Sequence, residues 1–142
     1  MMASVDDCRE VTLPKIEHPD GSITPVDGGI AIPFEVARVY YIYDVVRGAS
    51  RGGHAHRRLE QLVVAVMSSF TVIVDDGKRR RRFELDRADR GLYVPPMIWR
   101  ELEGFSTGAV CLVLASLPYD ESDYVRDRDE FLVLRAPGPL SE

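Results

Sequence analysis

From about residue 36 onward the chain alternates short β-branched and aromatic runs with Gly, Pro and Asp punctuation. That pattern predicts an all-β sandwich or barrel rather than helices. Strands are predicted near residues 36–44, 53–57, 61–67, 70–75, 80–85, 91–94, 99–102 and 110–115. Asp75-Asp76-Gly77-Lys78 is a strong hairpin signal, because Asp-Gly supplies the positive φ angles of tight hairpins. Pro19-Asp20-Gly21-Ser22 and Asp27-Gly28-Gly29 are further turns. The tail changes character after Leu117-Pro118: Asp120 is a helix cap followed by an acidic first turn, with Asp123 completing an approximate capping box. A short helix is therefore expected from there through about residue 132. The terminal Ala136-Pro137-Gly138-Pro139 is expected to be loose.

The length of 142 residues suits one domain spanning 1–142, with its core at about 18–134 and loosely ordered termini. A content of 45% hydrophobic and 29% charged residues is that of a soluble globule. The formal charge of −5 opposes general affinity for nucleic acid or an anionic membrane, so any anionic ligand must be met by locally placed arginines. The run Lys78-Arg79-Arg80-Arg81-Arg82 follows a hairpin turn and fits a solvated sheet edge, where positive charge discourages strand-to-strand aggregation. Two cysteines, Cys8 and Cys111, are too few for a disulfide framework. The charged segment Met1 to Glu10 lacks a signal-peptide pattern, and no apolar run approaches a bilayer span, so a cytoplasmic location is expected.

Two of the three histidines stand one residue apart in Arg51-Gly52-Gly53-His54-Ala55-His56, while His18 lies in the Pro/Gly-rich N-terminal segment. On a strand, residues i and i+2 share a face, so His54 and His56 project side by side as half a metal site or a proton-transfer site. The ordinary alternative is a pair of polar strand residues satisfied by their neighbours. Arg38-Val39-Tyr40-Tyr41-Ile42-Tyr43 puts Arg38 and Tyr40 on one face and Tyr41 and Tyr43 on the other, without saying which face meets a pocket. Arg100, in Trp99-Arg100-Glu101 after a Pro-Pro turn, is either an edge residue paired with a carboxylate or a donor aimed into the barrel.

The spacing of Gly48, five residues, His54-x-His56, three residues and Glu60 resembles the first cupin motif. Metal-binding cupins take a further histidine from a later strand, and Arg100 stands where it belongs; a guanidinium has no lone pair to offer a metal. Glu60 could still complete a two-histidine, one-carboxylate iron site with His54 and His56, which leaves a metal-dependent cupin enzyme as a rival reading. A non-catalytic nucleotide-sugar-binding cupin is the other.

Taken in order, Arg38 to Asp44, Arg51 to His56, Asp75-Asp76-Gly77, Gly91 to Glu101, Leu114-Ala115-Ser116 and Tyr119 to Tyr124 resemble the WxcM-like, cupin-type dTDP-4-keto-6-deoxyglucose 3,4-ketoisomerases across residues 18 to 134. The resemblance implies a single-domain cupin jelly roll and a homodimer that works without metal or cofactor on a dTDP-linked 4-keto-6-deoxy sugar, in deoxyaminosugar biosynthesis. It implies His54 as principal acid/base with His56 as its partner, Tyr40 and Arg100 lining the sugar, and Arg51 and Arg38 near the pyrophosphate. Relatives with arginine in the Trp-Arg-Glu position resemble those giving the gluco-configured product, dTDP-3-keto-6-deoxyglucose. Two departures from the family pattern stand out: Met67-Ser68-Ser69 before Phe70, and Asp20 before Gly21 where relatives carry arginine or tyrosine.

Overall fold

Alternating apolar positions fold into two facing antiparallel sheets, a cupin-like sandwich, in a computed structural model that describes residues 2–137. In chain order the strands are β1 Arg9–Thr12, β2 Ile16–His18, β3 Gly21–Ile23, β4 Arg38–Ile42, β5 Arg51–His56, β6 Gln61–Met67, β7 Phe70–Asp75, β8 Arg80–Leu85, β9 Arg90–Val94, β10 Trp99–Glu103, β11 Val110–Ala115 and β12 Tyr124–Val125; helix α1 is Arg128–Arg135. One sheet runs β1-β9-β6-β11-β4 and the other β12-β5-β10-β7-β8, with β2-β3 as a separate hairpin.

The period-two geometry of β6 divides its side chains between two cores. Val63 and Ala65 point between the sheets, where they meet Val72, Val74, Phe70, Leu85, Leu92 and Val113. Leu62 and Val64 point outward and are covered by Leu13, Ile32 and Phe34 from the N-terminal segment. Each fully buried aliphatic or aromatic side chain contributes about 1.5–3 kcal/mol relative to exposure. Gly91 permits the close packing of β9 on β6, since a Cβ there would lie 2.8 Å from the Leu62 side chain.

Two expectations are corrected. The segment before residue 18 is not loose where it is described: Val5 and Cys8 are buried, β1 pairs with β9, and the Asp76 carboxylate accepts the Val5 N–H at 2.9 Å. Apolar side chains that can cover an open sheet edge gain more from burial than the backbone loses in freedom. The helix expected from Asp120 lasts only one 3-10 turn, Glu121–Asp123, before β12 pairs with Ala55 and His56. Val125 becomes fully buried in that pairing, and Asp123 turns its carboxylate to the backbone N–H groups of Arg58 and Leu59. The helix starts later, capped by Asp127, and buries Phe131 against Trp99.

Strands β6, β7, β8 and β11 have the expected bounds. The basic run forms edge strand β8, with Arg80, Arg81 and Arg82 exposed and Arg82 donating to Glu103. The expected turn after β7 carries Gly77 at φ 92°, with Asp76 accepting from Lys78 and Arg79 N–H. The departure before Phe70 places Ser68, a non-glycine residue, at φ 58°, a left-handed conformation costing roughly 1–2 kcal/mol. Cys8 and Cys111 are both free and buried, and burial pushes their thiols up to about 12. Residues 138 and 139 of the tail expected to be loose lie outside the described residues. No helix among the described residues is long and apolar enough to cross a membrane.

Candidate active site

Antiparallel pairing of β5 with β10 sets His54 directly across from Arg100, and pairing of β11 with both β4 and β6 brings Tyr40 and Gln61 to the same interior. A register shift between β5 and β10, with Arg51 to His54 on β5 opposing the one-residue-shorter Arg100 to Leu102, marks this end of the sandwich. Bulges of this kind recur where a strand must re-aim a side chain. A cleft of about 500 Å³ opens there, lined by Arg38, Tyr40, Arg51, His54, Tyr124 and Arg126 among others.

The two histidines act as a unit. Their Nε2 atoms lie 3.1 Å apart with the rings edge-on, so one must donate while the other accepts. His54 reaches the cleft, whereas His56 is fully buried behind it. The Tyr124 ring packs against both imidazoles, with centroids 5.0 Å from His54 and 4.3 Å from His56. Beyond His56, the Asp123 Oδ2 stands 3.5 Å from Nδ1, a long contact without hydrogen-bond alignment that leaves this buried nitrogen otherwise unpartnered.

Burial lowers both imidazole pKa values, His54 to about 3 and His56 to about 2, and the nearby Arg100 guanidinium pushes the same way. Both rings are therefore neutral near pH 7, and each keeps a lone pair on one nitrogen. An unfolded histidine protonates at about pH 6.5, so below that pH the unfolded chain binds protons that the folded chain refuses, and stability falls as pH falls. We expect the gap in Tm between the wild type and His56→Gln to narrow as pH drops from about 7 to about 5. Thermal melts across that range check this, and a gap that widens would contradict it.

Arg100 is buried and does not line the open cleft. Its Nε and Nη2 donate to the Ile98 carbonyl at 3.1 and 3.0 Å, and its Nη1 donates to Gln61 Oε1. The Gln61 amide then donates to the Tyr40 hydroxyl at 3.0 Å. Arg100 does not pair with Glu101, which takes the Trp99 indole N–H at 2.9 Å. Arg38 stacks over Tyr40 and Tyr119 at 4.6 and 5.2 Å, with a buried Nη1 that has no partner. Arg51 is exposed on the cleft wall. The chain of alternation is thus resolved in favour of Arg38 and Tyr40 facing the cleft interior, with Tyr41 and Tyr43 largely exposed.

Glu60 is not brought into a metal set with the histidines. Its carboxylate accepts the Tyr93 hydroxyl at 2.6 Å, and among the described residues no group of three His, Cys, Asp or Glu side chains is placed to hold a metal ion. His18 is exposed on β2, where its Nδ1 accepts from Asp20 N–H. The residue patterns also concealed two cleft-lining residues, Tyr124 and Arg126, and two buried residues behind the site, Gln61 and Asp123. Gln61 is a polar residue opening an apolar strand, on the same side as Val63 and Ala65; Tyr124 and Arg126 share a face two residues apart; Asp123 reads as the capping-box partner of Asp120. Arg126 is held over Tyr124 at 4.0 Å by a two-pronged ion pair with Glu121, at 2.7 and 2.9 Å.

The family described as FdtA: WxcM-like, C-terminal matches residues 6–136. The TDP-4-oxo-6-deoxy-alpha-D-glucose-3,4-oxoisomerase of Aneurinibacillus thermoaerophilus is 43% identical over 123 residues, covering 87% of this chain and 88% of that protein. Among solved structures, a histidine-to-asparagine variant of the 3,4-ketoisomerase QdtA from Thermoanaerobacterium thermosaccharolyticum, in complex with TDP-4-keto-6-deoxyglucose, superposes with a TM-score of 0.89 at 34% identity, covering 95% of this chain and 96% of that one. The TDP-quinovose 3,4-ketoisomerase WlaRB from Campylobacter jejuni gives a TM-score of 0.85 at 42% identity, with coverage of 89% and 98%.

Proposed function

The chain belongs to the WxcM-like FdtA family and is a nucleotide-sugar 3,4-ketoisomerase, and from that premise we propose that it converts TDP-4-keto-6-deoxyglucose into TDP-3-keto-6-deoxyglucose through an enediol. The observation that carries the reading is the neutral His54–His56 pair at the wall of an arginine-rimmed cleft. In the substrate the C4 carbonyl acidifies the hydrogen at C3. His54 takes that proton, and the electron pair it leaves forms the C3–C4 double bond of an enediolate with charge on O4. Protonation at C4, with loss of the O3 proton, leaves the ketone at C3.

Asp123 sets the state of the base. Its carboxylate, 3.5 Å from His56 Nδ1, electrostatically favours the tautomer with hydrogen on that nitrogen; in that state His56 Nε2 is the acceptor, His54 donates its Nε2 hydrogen to it, and the lone pair of His54 is on Nδ1. Arg100 supplies positive charge behind the reacting carbons and orients its neighbours. Arg38, with its unpartnered buried Nη1, and Arg51 on the cleft wall bind the diphosphate.

The product is gluco-configured. H3 of the substrate and H4 of such a product lie on opposite ring faces, so C4 takes its proton from solvent in the open cleft on the face away from His54, and the proton held by His54 returns to solvent. Arg100 is too weak an acid to give one. Support comes from the 42% identity to a quinovose isomerase, since quinovose is 6-deoxyglucose. The test is NMR of the reaction with TDP-4-keto-6-deoxyglucose, with and without a chelator. We expect an equatorial C4 hydroxyl and unchanged turnover after chelation, because a buried guanidinium repels a cation and Glu60 is engaged by Tyr93. An axial hydroxyl would overturn the configuration; activity restored only by added metal would overturn the mechanism.

The working unit is a homodimer in the cytoplasm. Edge strand β4 exposes Val39 and Tyr41, with Tyr43 just beyond it; the β2–β3 hairpin exposes Ile16 and Ile23, and Ile30 is 85% exposed. A second copy would cover this apolar surface. Sedimentation is expected at about twice the 16.0 kDa chain mass, and a species at the chain mass would contradict the dimer.

A further inference from the structure

We propose that Gln61 is a positioning residue, locked by Arg100, that turns the Tyr40 hydroxyl hydrogen into the cleft as the donor to the developing O4 oxyanion; this rests on the ketoisomerase reading above. A guanidinium has only donors, so the atom of Gln61 that meets Arg100 Nη1 must be the carbonyl Oε1. The amide has no freedom left: its Nε2 must face Tyr40, whose hydroxyl oxygen lies 3.0 Å away. Tyr40 therefore accepts from Gln61, and its own hydrogen must point elsewhere. Among the described residues no protein acceptor takes it, and Tyr40 lines the cleft beside His54.

Each link is fixed by the one behind it. Arg100 is clamped through two donors on the Ile98 carbonyl, Gln61 is buried at the start of β6, and Arg38 stacks on the Tyr40 ring from the other side at 4.6 Å. Burial also keeps the hydroxyl protonated, as a donor requires. The chain explains how position 100 can influence the sugar although its side chain does not line the cleft. A residue there that could accept a hydrogen bond would free the Gln61 amide to turn over and with it the direction of the Tyr40 hydrogen.

Gln61→Glu tests this in the intact protein. The carboxylate still accepts from Arg100, yet it cannot donate to Tyr40 and instead accepts the hydroxyl hydrogen, withdrawing it from the sugar. Against a wild type shown to turn over TDP-4-keto-6-deoxyglucose, kcat is expected to fall about 100-fold, as for loss of one oxyanion donor, with KM and TDP binding within about threefold. In a Tyr40→Phe background the same substitution is expected to change kcat by less than about twofold, a non-additivity that a general structural defect would not produce. If Gln61→Glu fails to fold, Gln61→Met carries the same double-mutant cycle. A kcat within about threefold of the wild type, or an equal fall with and without Tyr40, overturns the proposal, whereas an inactive wild type overturns the ketoisomerase reading instead.

Discussion

His54→Asn cuts kcat for TDP-4-keto-6-deoxyglucose by about 10³-fold or more while the fold and TDP binding persist. The substitution removes the only imidazole that reaches the cleft and leaves a polar side chain of similar reach on β5. His56 cannot take over, because its ring is fully buried and its Nε2 pointed at the lost partner. What holds the strand in place is untouched: the pairing of β5 with β10 on one side and β12 on the other is backbone bonding. Arg38 and Arg51, proposed to hold the diphosphate, are other lining residues of the cleft and are unchanged. Turnover by NMR, TDP affinity by calorimetry and exchange of the C3 hydrogen in deuterated solvent check the three parts. Retained C3 exchange would show that another residue is the base.

Asp123→Asn is expected to lower kcat by about 100-fold or more, through the wrong tautomer, and to cost about 1–3 kcal/mol of stability through one lost acceptor. The carboxylate oxygens take the backbone N–H groups of Arg58 at 2.8 Å and Leu59 at 3.2 Å, and Oδ2 also faces His56 Nδ1. An amide presents a donor in place of one oxygen. Facing His56 Nδ1, that donor favours the tautomer with hydrogen on Nε2, which reverses the bond to His54 and protonates the nitrogen that should take the C3 proton. Imidazole ¹⁵N shifts distinguish the tautomers directly. Wild-type His56 should carry its hydrogen on Nδ1 and the variant on Nε2; unchanged shifts with an unchanged kcat would remove Asp123 from the mechanism.

The strand alternation, the hairpin at Asp76-Gly77, the i/i+2 pairing of His54 with His56 and the shared face of Arg38 and Tyr40 are all local consequences of residue spacing, which is why they could be read along the chain. The motif order was sufficient for the cupin jelly roll as well. What spacing does not carry is the partner each side chain finds across the sheets. Residue spacing leaves Arg100 as an edge residue or a donor aimed into the barrel; only the pairing of β10 with β5 and β7 buries it and turns it toward Gln61 and Ile98 instead of the open cleft. Asp123 fits locally as the acidic partner of Asp120 in a capping box, and Tyr124-Val125 had to compete between helix and sheet. The free edge of β5, which exists only once both sheets are assembled, decided that competition by burying Val125. Glu60 and Gln61 show the same division within two adjacent residues. Alternation along β6 sends neighbouring side chains to opposite faces, so the glutamate goes to Tyr93 and the glutamine to Arg100 and Tyr40. Which of the two met Arg100 and Tyr40 was settled by register between strands far apart in sequence, a long-range property that no local pattern records.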